Sequence, residues 1–204
     1  MKKLLLLASI ILINTLSAKN LEPVSYWDMQ NVSNPKISPD NELIIFSKRH
    51  IDKQNDSFVN EIWMMEYSGN EKRFFTKGSS PKWSPDSKRI AYIKVDDNDI
   101  SQIYIKHLDH QTESKITTIE KGVKDFAWSK DGKYLSFSSF NLYETDWKIE
   151  IPGKVDGQNY SWTKEPNVVT TMHWKSDGRG EYENGENHLY LVDADGGAPI
   201  KLSS

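Results

Sequence analysis

The 204-residue chain contains no cysteine. This absence excludes a disulfide scaffold, a thiolate zinc site and a cysteine nucleophile. The chain also has little excess charge, because 26 Lys and Arg face 29 Asp and Glu, and no basic surface for nucleic acid is predicted. No long segment has the 3.6-residue apolar period of an amphipathic helix, which predicts low helix content. Aromatic residues make up 11% of the chain, too many for a disordered protein.

The N-terminus has the composition of an export signal. Lys2 and Lys3 precede an apolar run over residues 4–13, and the small residues Ser17 and Ala18 follow. This order is typical of a secretory signal peptide. Ten helical residues reach only about 15 Å, half of a bilayer core. We therefore predict that residues 1–18 are a cleaved signal peptide and that the protein is exported, periplasmic or extracellular, with no membrane attachment after cleavage. The alternative is an uncleaved N-terminal anchor.

A short motif recurs about every 45 residues along the rest of the chain. Its copies are Ile37-Ser38-Pro39-Asp40, Trp83-Ser84-Pro85-Asp86, Trp128-Ser129-Lys130-Asp131 and the weaker Trp174-Lys175-Ser176-Asp177. The aspartates are 46, 45 and 46 residues apart. Proline and aspartate at these positions favour a tight turn. The recurrence predicts one structural unit per repeat.

Each motif is followed by segments rich in β-branched and aromatic residues, which predict strands. In the first repeat these segments are Leu43-Ile44-Ile45-Phe46, Glu61-Ile62-Trp63-Met64 and Lys72-Arg73-Phe74-Phe75. The spacing differs between repeats, since Ser38 to Ile62 is 24 residues and Ser84 to Ile103 is 19. Four short strands per 45 residues is typical of a β-propeller blade.

The predicted fold is all-β, a partial β-propeller of three to four four-stranded antiparallel blades preceded by the signal peptide. We divide it into a lead-in over residues 19–33 and an incomplete propeller over 34–204, with repeats near 34–78, 79–120, 121–170 and 171–204. Residues 141–179 have two interpretations. The aspartate spacing favours a degenerate fourth blade that begins at Trp174, whereas the short gap from Asp177 to Leu189 favours a long insertion in the third blade.

Several segments carry a family resemblance. They are Tyr26-Trp27-Asp28-Met29, Asn34-Pro35-Lys36-Ile37, Gly78-Ser79-Ser80-Pro81, and His188-Leu189-Tyr190-Leu191 ahead of Gly196-Gly197-Ala198-Pro199. In this order they resemble the propeller of exported prolyl-oligopeptidase-family serine peptidases, in the acylaminoacyl-peptidase and dipeptidyl-peptidase-like branch. The resemblance implies a propeller of seven or eight blades that caps an α/β-hydrolase domain and restricts access to a Ser-Asp-His site.

The resemblance does not supply catalytic residues. At 45 residues a blade, such a propeller needs roughly 315–360 residues, so the chain holds about half of one. The sequence contains no G-x-S-x-G nucleophile elbow. We therefore expect that the hydrolase domain would follow this chain, that a peptide substrate would be bound through that domain, and that the chain alone is inactive.

Other side chains with chemical potential have simpler interpretations. His107 and His110 form an H-x-x-H pair at the end of a predicted strand, where a turn is favoured over metal ligation. An acidic loop at residues 96–99 and the Asp-Gly segment at 193–197 could offer oxygen ligands to calcium, but both are typical of hairpin turns. No catalytic residue, metal or cofactor is predicted.

The repeated positions are interpreted as structural. Ser84, Asp86 and Ser129 could be imagined in a triad, but they recur at one place in each repeat. The accompanying tryptophans at 83, 128 and 174 are predicted to pack between sheets.

Aromatic residues at 147, 160 and 162 could form a platform that binds a ligand. The alternative is that they pack in the core or cover a loop. Asparagines 31, 55 and 159 lie in N-x-Ser/Thr sequences, which matter only in a glycosylating host.

The leading hypothesis is a substrate-gating propeller of an exported serine peptidase. The alternative is a non-enzymatic periplasmic propeller of the TolB type, which binds partner proteins. Such proteins carry an α/β domain before the propeller, whereas the first repeat here begins about fifteen residues after the signal peptide. A small stand-alone four-bladed binding protein is a further possibility. An open set of blades exposes sheet edges, and self-association through those edges is expected.

Overall fold

A computed structural model describes residues 22–143, 175–177 and 180–203. The predicted signal peptide, Trp174, the aromatic residues at 147, 160 and 162 and the asparagine at 159 lie outside the described residues. A 3₁₀ helix, Pro23–Asp28, comes first, and the other described elements are strands. None of the described helical segments has the length and hydropathy needed to cross a bilayer. The all-β prediction is confirmed.

The first two repeats form four-stranded antiparallel sheets whose strands follow chain order. Sheet I contains β1 (Gln30–Ile37), β2 (Leu43–Asp52), β3 (Ser57–Glu66) and β4 (Arg73–Lys77). Sheet II contains β5 (Ser79–Trp83), β6 (Arg89–Val95), β7 (Ser101–His107) and β8 (Glu113–Lys115). Strand β1 starts four residues before residue 34, where the first repeat was predicted to begin. The first strands contact each other across the sheets, β1 with β5 and β5 with β9, which places them on the inner side.

Sheet III corrects the predicted division at residue 170. It contains β9 (Asp125–Trp128), β10 (Tyr134–Leu142), β13 (Gly185–Asp193) and β14 (Ile200–Lys201). Strands β10 and β13 pair along nine residues, and Leu135 and Phe137 stand opposite Val192 and Tyr190. These apolar partners bury one face of the sheet together, which fixes the register. The last strands therefore complete the third blade, as the long-insertion interpretation requires. Strands β11 (Lys175–Ser176) and β12 (Gly180–Glu181) pair separately.

Sheet II is buried on both faces, which explains its unbroken apolar run. Ile90 and Tyr92 pack in a cluster with Ile45 and other residues of sheet I. Ala91 and Ile93 belong to a second cluster with residues of sheet III. Neighbouring side chains of a strand point to opposite faces, so a central sheet needs apolar residues at every position. Each buried isoleucine contributes about 1.5–3 kcal/mol to the stability of the fold. The sheets therefore stack as blades.

The repeated Ser-x-Asp motif forms the same turn three times. In the second copy the Ser84 hydroxyl donates to the Asp86 carboxylate at 2.5 Å and accepts the Arg89 backbone N–H at 2.9 Å. The Asp86 carboxylate also accepts the backbone N–H of Lys88 at 3.1 Å. Ser38 with Asp40 and Ser129 with Asp131 make the corresponding bonds. These side chains supply the hydrogen bonds that hold the turn.

Polar side chains of β5 and β6 join sheet II to sheet III. The Lys82 ammonium bonds the Asp125 carboxylate at 2.9 Å and the Phe126 carbonyl oxygen. The Arg89 guanidinium donates to the Gly132 carbonyl oxygen at 2.7 Å. Each of these bonds links sheet II to sheet III, so neighbouring blades are fixed by directional contacts as well as by apolar packing.

Candidate functional site

A cleft of about 560 Å³ lies beside sheet I. Its walls are the β2–β3 hairpin, the start of β1 with the preceding 3₁₀ helix, and the first residues of β5. Arg49 and Phe58 come from the hairpin, Tyr26 from the helix, and Ser79 and Ser80 from β5. We call this cavity the hairpin cleft.

The hairpin cleft exists because neighbouring hairpins differ in length. Strands β2 and β3 pair along ten residues, whereas β6 and β7 pair along seven. Three more residue pairs extend a hairpin by about 10 Å. The end of the sheet I hairpin therefore projects past sheet II, and the face that would be covered by sheet II stays open there.

Two bulges shape the floor of the hairpin cleft. The pairing register shifts in β1 between Ser33 and Lys36, and in β5 between Ser79 and Lys82. Asn34 and Ser80, at the bulges, have φ angles of 53° and 54°. A bulge bends its strand and directs side chains away from the regular ladder. The repeated Asn-Pro and Ser-Pro steps thus give both inner strands the same irregular start.

Arg49 is the charged centre of the hairpin cleft. Its guanidinium lies 3.7 Å from the centroid of the Phe58 ring, which holds it by a cation–π contact. Within the described ranges, no carboxylate lies within 4 Å of it, while Arg73 and Arg89 have Glu71 and Asp195 at 3.6 and 3.7 Å. The lining contains no aspartate or glutamate. This environment is suited to an anion.

Ser47 adds an unused polar group to the same cavity. Its hydroxyl is buried and has no hydrogen-bond partner in the structure. Ser47 lies directly opposite Ser33 of β1, and both line the cleft. A buried hydroxyl without a partner costs roughly 1–3 kcal/mol. The cleft therefore combines one free cation, small hydroxyls and aromatic walls.

His107 and His110 come together with a third side chain that the sequence spacing did not reveal. Their rings stack at 4.7 Å, and Asp109 Oδ1 lies 2.5 Å from His110 Nδ1. One ligand atom from each of the three residues lies within 4.8 Å of the others. Two imidazoles and a carboxylate are a set that zinc accepts, but its bonds of about 2 Å require closer donors. Side-chain rotation at this exposed turn would be needed, so the turn interpretation remains the simpler one.

The other acidic candidates lie in turns. Asp96 accepts the backbone N–H groups of Asn98 and Ile100 and pairs with Lys115 at 2.6 Å. Its hydrogen bond from Lys115, followed by those from the backbone, lowers the pKa of Asp96. Asp193 accepts the backbone N–H of Asp195 at 2.9 Å. Both loops therefore use their carboxylates to close hairpins.

The conceivable triad of Ser84, Asp86 and Ser129 does not form one site. Ser84 and Asp86 are bonded to each other in one turn, and Ser129 occupies the corresponding turn of the next sheet. Among the N-x-Ser/Thr asparagines, Asn31 and Asn55 are exposed. Arg49 was missed by the sequence reasoning, although the longer spacing in the first repeat was the available signal.

No family model matches the chain. Among curated proteins, the uncharacterized peptidase YuxL of Bacillus subtilis is 28% identical over 178 residues, which are 85% of this chain and 26% of that protein. Dipeptidyl-peptidase 5 of Porphyromonas endodontalis is 24% identical, covering 79% of this chain and 23% of its own length. The chain thus spans about a quarter of these relatives. A shorter match is to the Tol-Pal system protein TolB of Alcanivorax borkumensis, which is 36% identical over 61 residues. This match covers 29% of this chain and 14% of that protein.

The fold has a counterpart among solved structures. An acylaminoacyl peptidase of Pyrococcus horikoshii superposes with a TM-score of 0.65 and 15% identity, covering 88% of this chain and 26% of that one. At this identity the likeness concerns the fold. The resemblance read from the sequence is confirmed: the chain is a β-propeller portion similar to those of the prolyl-oligopeptidase-type peptidases.

Proposed function

We propose that this chain is the substrate-gating propeller portion of an exported serine peptidase that acts on peptides. The observation that carries the proposal is the similarity to two peptidases over about four fifths of the chain, together with the propeller fold. In this role the blades exclude folded proteins and admit short, extended chains to a hydrolase domain. The chain supplies shape and binding contacts, and the hydrolase domain supplies the nucleophile.

The physical basis of gating is the stiffness of the stacked sheets. Both faces of sheet II are buried, and its inner end is tied to sheet III by Lys82 and Arg89. Blades fixed in this way hold the inner strands β1, β5 and β9 at set distances around an axis. An opening bounded by such strands selects substrates by width.

The decisive experiment concerns the reading frame that holds this sequence. We expect the adjacent DNA to encode a G-x-S-x-G elbow followed by catalytic Asp and His. The complete protein should release p-nitroaniline from blocked peptide substrates and leave a folded protein uncut, while residues 19–204 alone release none above background. A frame without those three residues overturns the proposal, as does equal cleavage of folded protein and short peptide.

The TolB-type alternative predicts a different outcome. It is favoured by the 61-residue match and requires no hydrolysis. In that case the complete protein would be inactive on peptides and would co-purify with envelope proteins after mild cross-linking. Activity that disappears on replacement of the elbow serine excludes this alternative.

Export is part of the proposal and has its own measurement. We expect the protein in the extracytoplasmic fraction to begin at residue 19, because cleavage after Ala18 fits the small-residue rule. Intact-mass analysis distinguishes this product from a chain that keeps its first 18 residues. Recovery of the full-length chain in the membrane fraction would support the uncleaved anchor instead.

A further inference from the structure

We infer that the hairpin cleft binds a carboxylate group of a peptide, with the Arg49 guanidinium as its receptor. This inference rests on the proposed function only in taking a peptide as the ligand. The two possible sources of the carboxylate are the peptide C-terminus and an Asp or Glu side chain.

Arg49 is presented to a ligand in a fixed orientation. Its guanidinium stacks at 3.7 Å on the ring of Phe58, the cross-strand neighbour of Ile51. Stacking leaves the N–H groups at the edge of the guanidinium plane free to donate, and two of them match the two oxygens of a carboxylate. Since the contact with Phe58 already restricts the side chain, less entropy is lost when a ligand binds.

Charge complementarity selects the sign of the ligand. Arg49 has no carboxylate within 4 Å among the residues described, and the wall of the hairpin cleft contains no acidic side chain. Arg73 and Arg89, by contrast, lie within 4 Å of Glu71 and Asp195. An anion that enters the cleft therefore meets a cation whose charge is not already neutralised, and a cationic group meets only repulsion.

The rest of the cleft suits a peptide better than a small inorganic anion. Its 560 Å³ lies within the range of pockets that bind drug-sized molecules. Tyr26, Met29 and Ile51 supply apolar wall, and the amides of Asn31 and Asn60 supply donors and acceptors for a peptide backbone. A peptide with an apolar side chain next to its carboxylate uses all of these features.

Fluorescence anisotropy with three labelled tetrapeptides tests the inference. One has a free C-terminus and no acidic side chain, one is the same peptide as its C-terminal amide, and one is the amide with an internal Asp. We expect binding of the free acid and at least tenfold weaker binding of the plain amide, as follows from losing a charge-assisted bond of about 1.5–3 kcal/mol. Tight binding of the Asp amide would assign the carboxylate to a side chain. Equal affinity for all three peptides, or no binding, overturns the inference.

Three variants connect the effect to Arg49. Arg49→Gln should weaken free-acid binding tenfold or more, and Arg49→Lys should be intermediate, because lysine keeps the charge but lacks the planar fork. Arg73→Gln, in the same sheet, is the matched control and should bind like the original chain. Loss of affinity in Arg73→Gln equal to that in Arg49→Gln contradicts the inference. Thermal unfolding of all variants checks that the blades remain folded.

The result is separable from the proposed function. Peptide binding is measured without hydrolysis, so carboxylate-dependent binding by a protein with no peptidase activity leaves this inference standing and removes the proposed function. Conversely, an active complete peptidase in which Arg49→Gln changes neither KM nor peptide affinity removes this inference alone.

Discussion

The indole N–H of Trp83 donates a hydrogen bond of 3.0 Å to the backbone carbonyl oxygen of Lys36 in the neighbouring sheet. Trp128 makes the same bond to the carbonyl oxygen of Lys82, at 3.2 Å. Both bonds span one repeat, 47 and 46 residues. Both rings are also partly buried against the apolar clusters between the sheets. The prediction that these two tryptophans pack between sheets is confirmed, and each also aligns its blade with the previous one.

The substitution Trp83→Phe tests the value of this bond. Phenylalanine keeps most of the ring packing but removes the donor to the exposed Lys36 carbonyl oxygen, so we expect the free energy of unfolding to fall by about 0.5–1.5 kcal/mol. Denaturant titration followed by circular dichroism measures the change. The control is Trp27→Phe, in the 3₁₀ helix with 39% of its surface exposed, which should change stability by less than about 0.5 kcal/mol. Equal effects at the two positions would contradict the role assigned to Trp83.

Gly78 joins the first two blades at a place with no room for a side chain. An added Cβ would lie 2.8 Å from the Ile93 carbonyl oxygen and from the Tyr92 ring, and φ is +149°. At Gly69, φ is +91°, but nothing lies within 4 Å of an added Cβ. Gly69→Ala should therefore cost only the backbone strain, about 1 kcal/mol, and Gly78→Ala should cost about 1–3 kcal/mol more because the blades must separate. The midpoints of chemical unfolding of the two variants give the difference in stability. A loss of stability in Gly78→Ala no larger than that in Gly69→Ala would contradict the close contact between Gly78 and residues 92 and 93.

The pairing of β10 with β13 can be tested by a cross-link. Ser138 and Leu189 are directly opposite, and their carbonyl oxygens accept N–H groups from Lys124 and Leu202 on the outer sides. Such a non-hydrogen-bonded pair brings its Cα atoms to about 4.5 Å, close enough for a disulfide. We expect Ser138→Cys with Leu189→Cys to oxidise readily, and the absence of native cysteine leaves no competing thiol.

Mass spectrometry of the tryptic peptides identifies this cross-link. The control pair is Ser138→Cys with Asn187→Cys, where the second cysteine lies two residues along the same face. The Cα separation is then about 7–8 Å, beyond the usual reach of a disulfide. Oxidation of neither pair would restore the interpretation that residues 171–204 form a separate blade, and preferential oxidation of the control pair would show a register shifted by two residues.

The three turn aspartates predict a loss of stability in acid. The Ser38 hydroxyl and then the backbone N–H of Glu42 lower the pKa of Asp40, and Ser129 and then Lys133 do the same for the pKa of Asp131. Burial raises the pKa of Asp86, but the bonds from Ser84 and Lys88 and the charge of Arg89 outweigh it, and the pKa is lowered overall.

A carboxyl group whose pKa is lowered in the folded state stabilises the fold above its unfolded pKa, and this stabilisation is lost as the pH falls through the folded pKa. We therefore expect the free energy of unfolding to drop below about pH 4 and the drop to be smaller in Asp86→Asn. Denaturant titrations at pH 7, 4 and 3 measure both effects. The control Asp97→Asn, at the exposed turn between β6 and β7, should keep the full drop, and an identical acid response in Asp86→Asn would contradict the prediction.

The blades were predictable because their information is local. The Ser-x-Asp turns, the β-branched segments and the period of the repeat are all contained within a few residues of each strand. The partner of β10 was not predictable in this way. Strand β10 (Tyr134–Leu142) pairs with β13 (Gly185–Asp193) across a long intervening segment, and local signals do not specify which distant strand is its partner. Aspartate spacing pointed to a fourth blade, whereas the matching apolar faces of Leu135 and Val192 decided the pairing.

The hairpin cleft was harder to predict for a different reason. It arises from the difference between two neighbouring hairpins, and no single residue encodes it. The sequence does show that Ser38 to Ile62 is five residues longer than Ser84 to Ile103. The longer spacing does not reveal that Arg49 stacks on Phe58 or that no described carboxylate lies near Arg49. Both contacts depend on how the sheets stack.

The two tryptophan bonds between the described sheets run in one direction. In each, the donor belongs to the later repeat, and the acceptor is a main-chain oxygen that every amino acid possesses. During synthesis, each emerging blade therefore meets an acceptor that the ribosome has already released. In evolution, a duplicated unit could be added behind the last one without any compensating change in its predecessor. Each repeat thus carries the side chain that attaches it to the repeat before it.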